Sequence, residues 1–89
     1  MSDYQTYQQL IKCLLSIDNE DDANLFLQDL CTIKELQSFE QRITAAKMLL
    51  EGKTFNEIIE VTKISSATLA RINHCIKYGG GGYAKILEK

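Results

Sequence analysis

Between Thr54 and Ile72 the chain carries two helix-start signals separated by one short apolar-periodic run, FNEIIEVT. That spacing leaves room for a helix, a tight turn and a second helix, and for little else. Thr54 is followed three residues later by Glu57, the capping-box interval at which hydroxyl and carboxylate each satisfy a free backbone N–H. Ile58, Ile59 and Thr62 then fall close to one side of a short helix, with Glu57 and Glu60 pointing elsewhere. The run breaks at Thr62-Lys63-Ile64, and Ser65 supplies a second N-cap oxygen. Leu69, Ile72 and Ile76 recur at intervals of three and four and form the expected buried stripe of the second helix.

The outward turns of that second helix carry Ser66, Ala67, Thr68, Ala70 and Arg71. Small polar side chains at a helix N-terminus suit close approach to the floor of a DNA major groove, where the first turns of a recognition helix contact base edges. Ala67 and the Thr68 methyl match a thymine methyl, hydroxyls bond to bases or phosphates, and Arg71 reaches a phosphate or a guanine edge. The competing reading is an ordinary pair of core helices in which Ser65 and Thr68 do no more than cap. Two positions depart from the usual helix-turn-helix pattern. Ile59 stands where a small residue eases the helix crossing, and Lys63 stands where a Gly accommodates positive φ. A lysine held in left-handed geometry costs roughly 1 kcal/mol.

The remaining sequence is also helical in period, with no proline and no alternating strand pattern, so the fold class is all-α. Tyr4, Tyr7, Leu10, Ile11, Leu14 and Leu15 predict a first helix over residues 4–16. The acidic run Asp18–Asp22 caps and opens a second helix bearing Leu25, Phe26, Leu27 and Leu30. Thr32 and Glu35 have capping-box spacing and start a third, longest helix, which Gly52 stops. Gly79 is a candidate C-cap for the second helix of the pair, Gly79–Gly82 a turned or flexible link, and a last short helix follows from Tyr83. One domain is expected, organised as residues 1–52 for dimerisation, 54–78 for the helix pair, 79–82 as link and 83–89 as terminal helix. Hydrophobic residues make up 45% of only 89, more than a small monomer buries easily, so part of that surface is expected to meet a second copy.

Net charge, at −2, hides an asymmetry. Residues 1–40 hold two lysines against eight carboxylates, a balance of −6, while residues 41–89 hold eight basic groups against four, a balance of +4. The basic excess accompanies the helix pair, as nucleic-acid contact requires. Part of the acidic excess has a local cause, since carboxylates favour a helix start. Glu57 and Glu60 oppose phosphate, which predicts modest affinity and steep salt dependence.

Other chemistry is sparse. Cys13, Cys31 and Cys75 are odd in number and lie in apolar helical runs, where they read as small hydrophobes of an intracellular protein. His74 and Cys75 are neighbours that diverge on a helix, so they form no metal or nucleophile pair. The four glycines lack the Gly-Lys-Ser/Thr of a phosphate loop. No acid/base set appears, and the reading is not an enzyme. Neither a signal peptide nor a membrane span is expected, and the location is cytoplasmic.

The order TIKELQSFEQRITAAKMLLEGKTFNEIIEVTKISSATLARINHC, from Thr32 to Cys75, resembles the tryptophan repressor family. The ending RINHCIKYGGGGYAKIL is similar to its small bacterial branch, the TrpR-related YerC/YecD proteins. The resemblance implies a TrpR-like helical bundle, an intertwined homodimer, and two helix-turn-helix heads on successive major grooves of double-stranded DNA. In that family a threonine and two arginines hold the tryptophan corepressor, and Thr32, Arg42 and Arg71 stand at the matching positions. The residue after the second arginine is glycine in the repressor and is Ile72 here, and the serine that bonds the ligand's amino group is replaced by Cys75. The turn is also one residue shorter. A branched side chain in the ring's place disfavours tryptophan as corepressor, so no cofactor is expected. The resemblance names no other effector.

Two functions follow. One is a homodimeric, sequence-specific regulator, a repressor that reads DNA through Ser65, Ser66, Ala67, Thr68, Arg71 and Lys77. The other is a dimeric protein-interaction module of the same fold without specific DNA binding.

Overall fold

A computed structural model of the chain describes residues 4–89 and divides it into two compact units, Met1–Ile33 and Lys34–Lys89. The first unit contains a 3-10 turn, Tyr4–Tyr7, then α1, Gln8–Ser16, and α2, Glu20–Leu30. The predicted first helix therefore begins as a tighter 3-10 turn, the form in which helix ends often start when no cap is available. No side-chain cap bond forms at Tyr7, the residue that precedes α1. Asn19 caps α2 by accepting the Asp22 backbone N–H at 2.8 Å, and Glu20, Asp21 and Asp22 occupy its first turn, where the helix dipole favours them. Neither α1 nor α2 contains a fully buried residue.

The second unit holds nearly all of α3, Ile33–Leu50, together with α4, Phe55–Thr62, α5, Ser66–Tyr78, and α6, Gly82–Leu87. Helix α3 ends in a Schellman arrangement. The Lys53 N–H donates to the Met48 carbonyl and the Gly52 N–H to the Leu49 carbonyl, each at 3.0 Å. Gly52 takes the positive φ of 85° that this stop requires. The core is formed by Ala45 and Ala46 of α3, Ile58 of α4, Ile64 of the turn, and Leu69 and Ile72 of α5. The two alanines are fully buried, and their small side chains allow other elements to come close to the α3 backbone. Met48, Leu49, Ile59, Ile76, Tyr83 and Leu87 close around this centre.

Three details differ from the sequence reading. Ile64, expected only to mark a break, is a core residue. Helix α6 starts at Gly82, one residue early, because Gly81 adopts φ 84° and serves as its N-cap. The thiols are not buried within one chain: Cys13 is exposed, and Cys31 and Cys75 are half-buried.

Candidate nucleic-acid interface

The α4–turn–α5 element is built from local bonds that the sequence specifies. At the start of α4 the Glu57 N–H donates to Thr54 Oγ1 at 3.2 Å, and the Thr54 N–H donates back to Glu57 Oε1 at 3.0 Å. This returned bond from the Thr54 backbone, aided by the Thr54 side chain and Lys53, holds the Glu57 carboxyl below the usual carboxylate range. Helix α4 ends at Lys63, which adopts φ 63° and ψ 15°, the left-handed geometry that a glycine would take without strain. Thr62 is buried and makes the turn possible. Its hydroxyl donates to the Ile58 carbonyl at 2.8 Å and accepts the Ile64 N–H at 3.4 Å. With the backbone groups satisfied, Ile64 turns into the core and Ser65 opens α5.

Ser65 is used mainly as a cap. Its Oγ accepts the Thr68 N–H at 3.1 Å and donates to Thr68 Oγ1 at 3.0 Å. Thr68 is only half-exposed, so both hydroxyls are engaged in fixing the head of the helix.

The rest of α5 sorts by angle. Successive residues turn about 100°, which places Ser66, Lys77, Ala70, His74, Ala67, Tyr78 and Arg71, in that order, across roughly 140° of the helix. All seven are exposed, and every other residue of α5 is half-buried or buried. The exposed arc carries an arginine, a lysine and a histidine, and no residue of α5 is acidic. Lys77 lies about 16 Å along the helix from Ser66, on nearly the same side. Ala70 was expected on the outward turns, whereas His74 and Tyr78 were not placed on this face. Their signal is this angular order. His74 and Tyr78 are one turn apart, with ring centroids at 5.0 Å and planes tilted by 49°.

Behind this face lies a pocket of about 150 Å³ lined by Arg42, Thr68, Arg71, Ile72, Cys75 and Tyr83. The structure thus brings two residues expected from the resemblance, Arg42 and Arg71, to one site. Thr32 belongs to the first unit. Ile72 is almost wholly buried and serves the core as well as the pocket wall. Tyr83 was not anticipated, because a residue after four glycines reads as the far side of a linker. A second, apolar groove of about 440 Å³ is lined by Ile43, Cys75, Gly79–Gly82, Tyr83, Ile86 and Leu87. Among the described residues no cluster of His, Cys, Asp or Glu is placed to hold a metal ion. No helix among them is long and apolar enough to cross a membrane.

Comparison with known proteins agrees with this geometry. The Bacillus subtilis protein YerC, itself uncharacterised, is 40% identical over 81 residues, covering 91% of this chain and 78% of YerC. The crystal structure of a TrpR-like protein from Eubacterium eligens superposes with a TM-score of 0.87 at 42% identity, covering 94% of this chain and 87% of that one. A Trp repressor candidate from Staphylococcus aureus gives a TM-score of 0.89 at 29% identity, covering 99% and 93% of the two chains. The family model for the Trp repressor protein matches residues 5–89, and the chain belongs to that family.

Proposed function

We propose that the protein is a homodimeric, sequence-specific DNA-binding transcriptional regulator, acting as a repressor by occupying promoter DNA. The observation that carries this reading is the exposed arc of α5, free of acids and held outward by two capped helix starts. Ser66, Ala67 and Ala70 allow close approach to base edges, and Arg71 and Lys77 supply charge-assisted bonds to phosphate or guanine. Ser65 and Thr68 orient the helix, and the Thr68 hydroxyl, which accepts from Ser65, keeps its own proton for a base or phosphate.

The homodimer is supported by apolar side chains that a single chain leaves in water. Leu15 is 80% exposed, Leu25 61% and Ile33 69%. Large apolar side chains so fully in water are available for a second copy to cover. The apolar groove beside α6 is a further surface for the second copy to cover. Two symmetric heads then read half-sites about 34–36 Å apart.

Titration of the full chain against duplexes selected from a random pool, at low and high salt, tests the function. Binding that weakens steeply as salt rises is expected. Absence of binding at low salt would sink the reading. Arg71→Ala should weaken DNA binding about tenfold, within the ~1–3 kcal/mol of a base or phosphate contact, and leave the dimer intact.

An interaction module without DNA affinity is the second reading. It is favoured by α4, where Val61 is 63% exposed between Glu60 and a groove formed with Glu40, Gln41, Thr44 and Lys63.

A further inference from the structure

We propose that Tyr83 is a positioning residue for Arg71, an aromatic ring supplied by the chain itself in place of a free aromatic effector. This inference rests on the DNA-binding reading. Arg42, Arg71 and Tyr83 line the same small pocket, and among the described residues neither arginine makes an ion pair that would otherwise fix its direction. With no ion pair to fix it, the direction of Arg71 is left to the packing of this pocket, in whose lining Tyr83 is the one aromatic residue. Tyr83 is half-buried and packs against the core together with Leu87, although it follows four consecutive glycines.

The return of α6 depends on two of those glycines. A Cβ at Gly79 would lie 2.5 Å from the Cys75 carbonyl oxygen, so a side chain there forces the end of α5 apart. Gly81 holds φ 84°, which side-chain-bearing residues rarely adopt. The glycine run is a specific fold-back that delivers Tyr83 to the pocket, and it does not behave as an idle spacer.

Within one chain the pocket that these residues form is small for free tryptophan. The pocket measures about 150 Å³, against roughly 300–1,000 Å³ for sites that bury small-molecule ligands. Ile72 and Tyr83 occupy its walls. With its own ring in place, the reading head is set without an effector, and DNA binding is independent of tryptophan.

The test measures DNA binding by fluorescence anisotropy for the full-length protein and for Tyr83→Phe, Tyr83→Ala, Arg71→Ala and the Tyr83→Ala/Arg71→Ala double variant. Wild-type protein is expected to bind without tryptophan and to show no gain on its addition. Tyr83→Phe, which keeps the ring, stays within about twofold, and Tyr83→Ala loses about tenfold. In the Arg71→Ala background the same Tyr83 change costs less than about twofold, because the side chain it positions is already gone. Adding para-cresol, the detached ring of tyrosine, restores part of the binding of Tyr83→Ala and does nothing to wild type. Purely additive losses, wild-type affinity in Tyr83→Ala, or a tenfold gain of wild type with tryptophan would each overturn the inference. If circular dichroism shows that Tyr83→Ala does not fold, Tyr83→Leu takes its place, with weakened binding expected and undiminished binding contradicting the proposal. A wild type that binds no DNA at low salt removes the functional reading and this inference with it, whereas a wild type that binds with additive losses removes the positioning role alone.

Discussion

Helix α1 and helix α5 both carry an apolar stripe, yet only α5 has a covered one within the chain. Leu69 and Ile72 of α5 are buried among Ala45, Ala46, Ile58 and Ile64, whereas Leu10, Leu14 and Leu15 of α1 remain exposed. The same contrast runs through the units that contain them. Among the described residues of the first unit none is fully buried, while the second has a closed centre of six apolar side chains. An apolar stripe is thus part of an internal core in one region and an open surface in the other. The second unit holds the α4–turn–α5 element by its own packing, whereas the first leaves its apolar side chains in water, where the proposed dimer would cover them.

The largest expected effect lies in the closed core. Ile58→Ala removes a fully buried side chain and should destabilise the protein by about 2–5 kcal/mol in denaturant unfolding, through lost transfer energy and the cavity left behind. A cost under about 1 kcal/mol would show that this interior is not as closed as described. Leu15→Glu addresses the other region. In a lone chain a surface substitution is nearly neutral, within ~0.5 kcal/mol. In a dimer that buries Leu15 it should raise the dissociation constant by tenfold or more, about 1.4 kcal/mol, as read by analytical ultracentrifugation. An unchanged dimer would mean that α1 is not part of the interface.

Smaller effects concern the caps of the reading head. Because Glu57 is held below the usual carboxylate range by the Thr54 N–H, its ionised form belongs to the folded state. The stability it contributes is present above the ordinary Glu value of about 4.3 and is lost as pH falls through its lower folded-state value. Glu57→Gln should flatten that acid limb in a pH series of unfolding midpoints, and an unaltered slope would remove the carboxylate from the account. Lys63→Gly should stabilise the turn by up to about 1 kcal/mol, since glycine accepts the φ of 63° without strain. The gain in unfolding free energy is expected to come with somewhat weaker DNA binding, because a positive charge near the head is lost.

Much of this architecture was legible in the sequence because its signals are local. Thr54 with Glu57, Ser65 before α5, and Gly52 after α3 each act through bonds spanning a few residues, so the spacing alone announces them. The exposed face of α5 was legible for the same reason, because an angle of about 100° per residue needs no tertiary knowledge. Ile64 was not, since a residue in a turn has no periodicity to declare which way it points. Nor was the bond that Thr68 Oγ1 accepts from the Ser65 hydroxyl, which adds to the cap of α5.

By itself, then, the sequence determined an all-helical chain, the places where its helices start and stop, and a basic, acid-free face on α5, because capping and periodicity operate over one or two turns. Tertiary packing decided which stripes close on themselves. It placed Ala45 and Ala46 at the centre of the second unit and left Leu15 and Leu25 exposed. It also brought Tyr83 to the pocket of Arg42 and Arg71. Residues 42, 71 and 83 are far apart along the chain, and only the glycine fold-back and the burial of apolar surface bring them to one site.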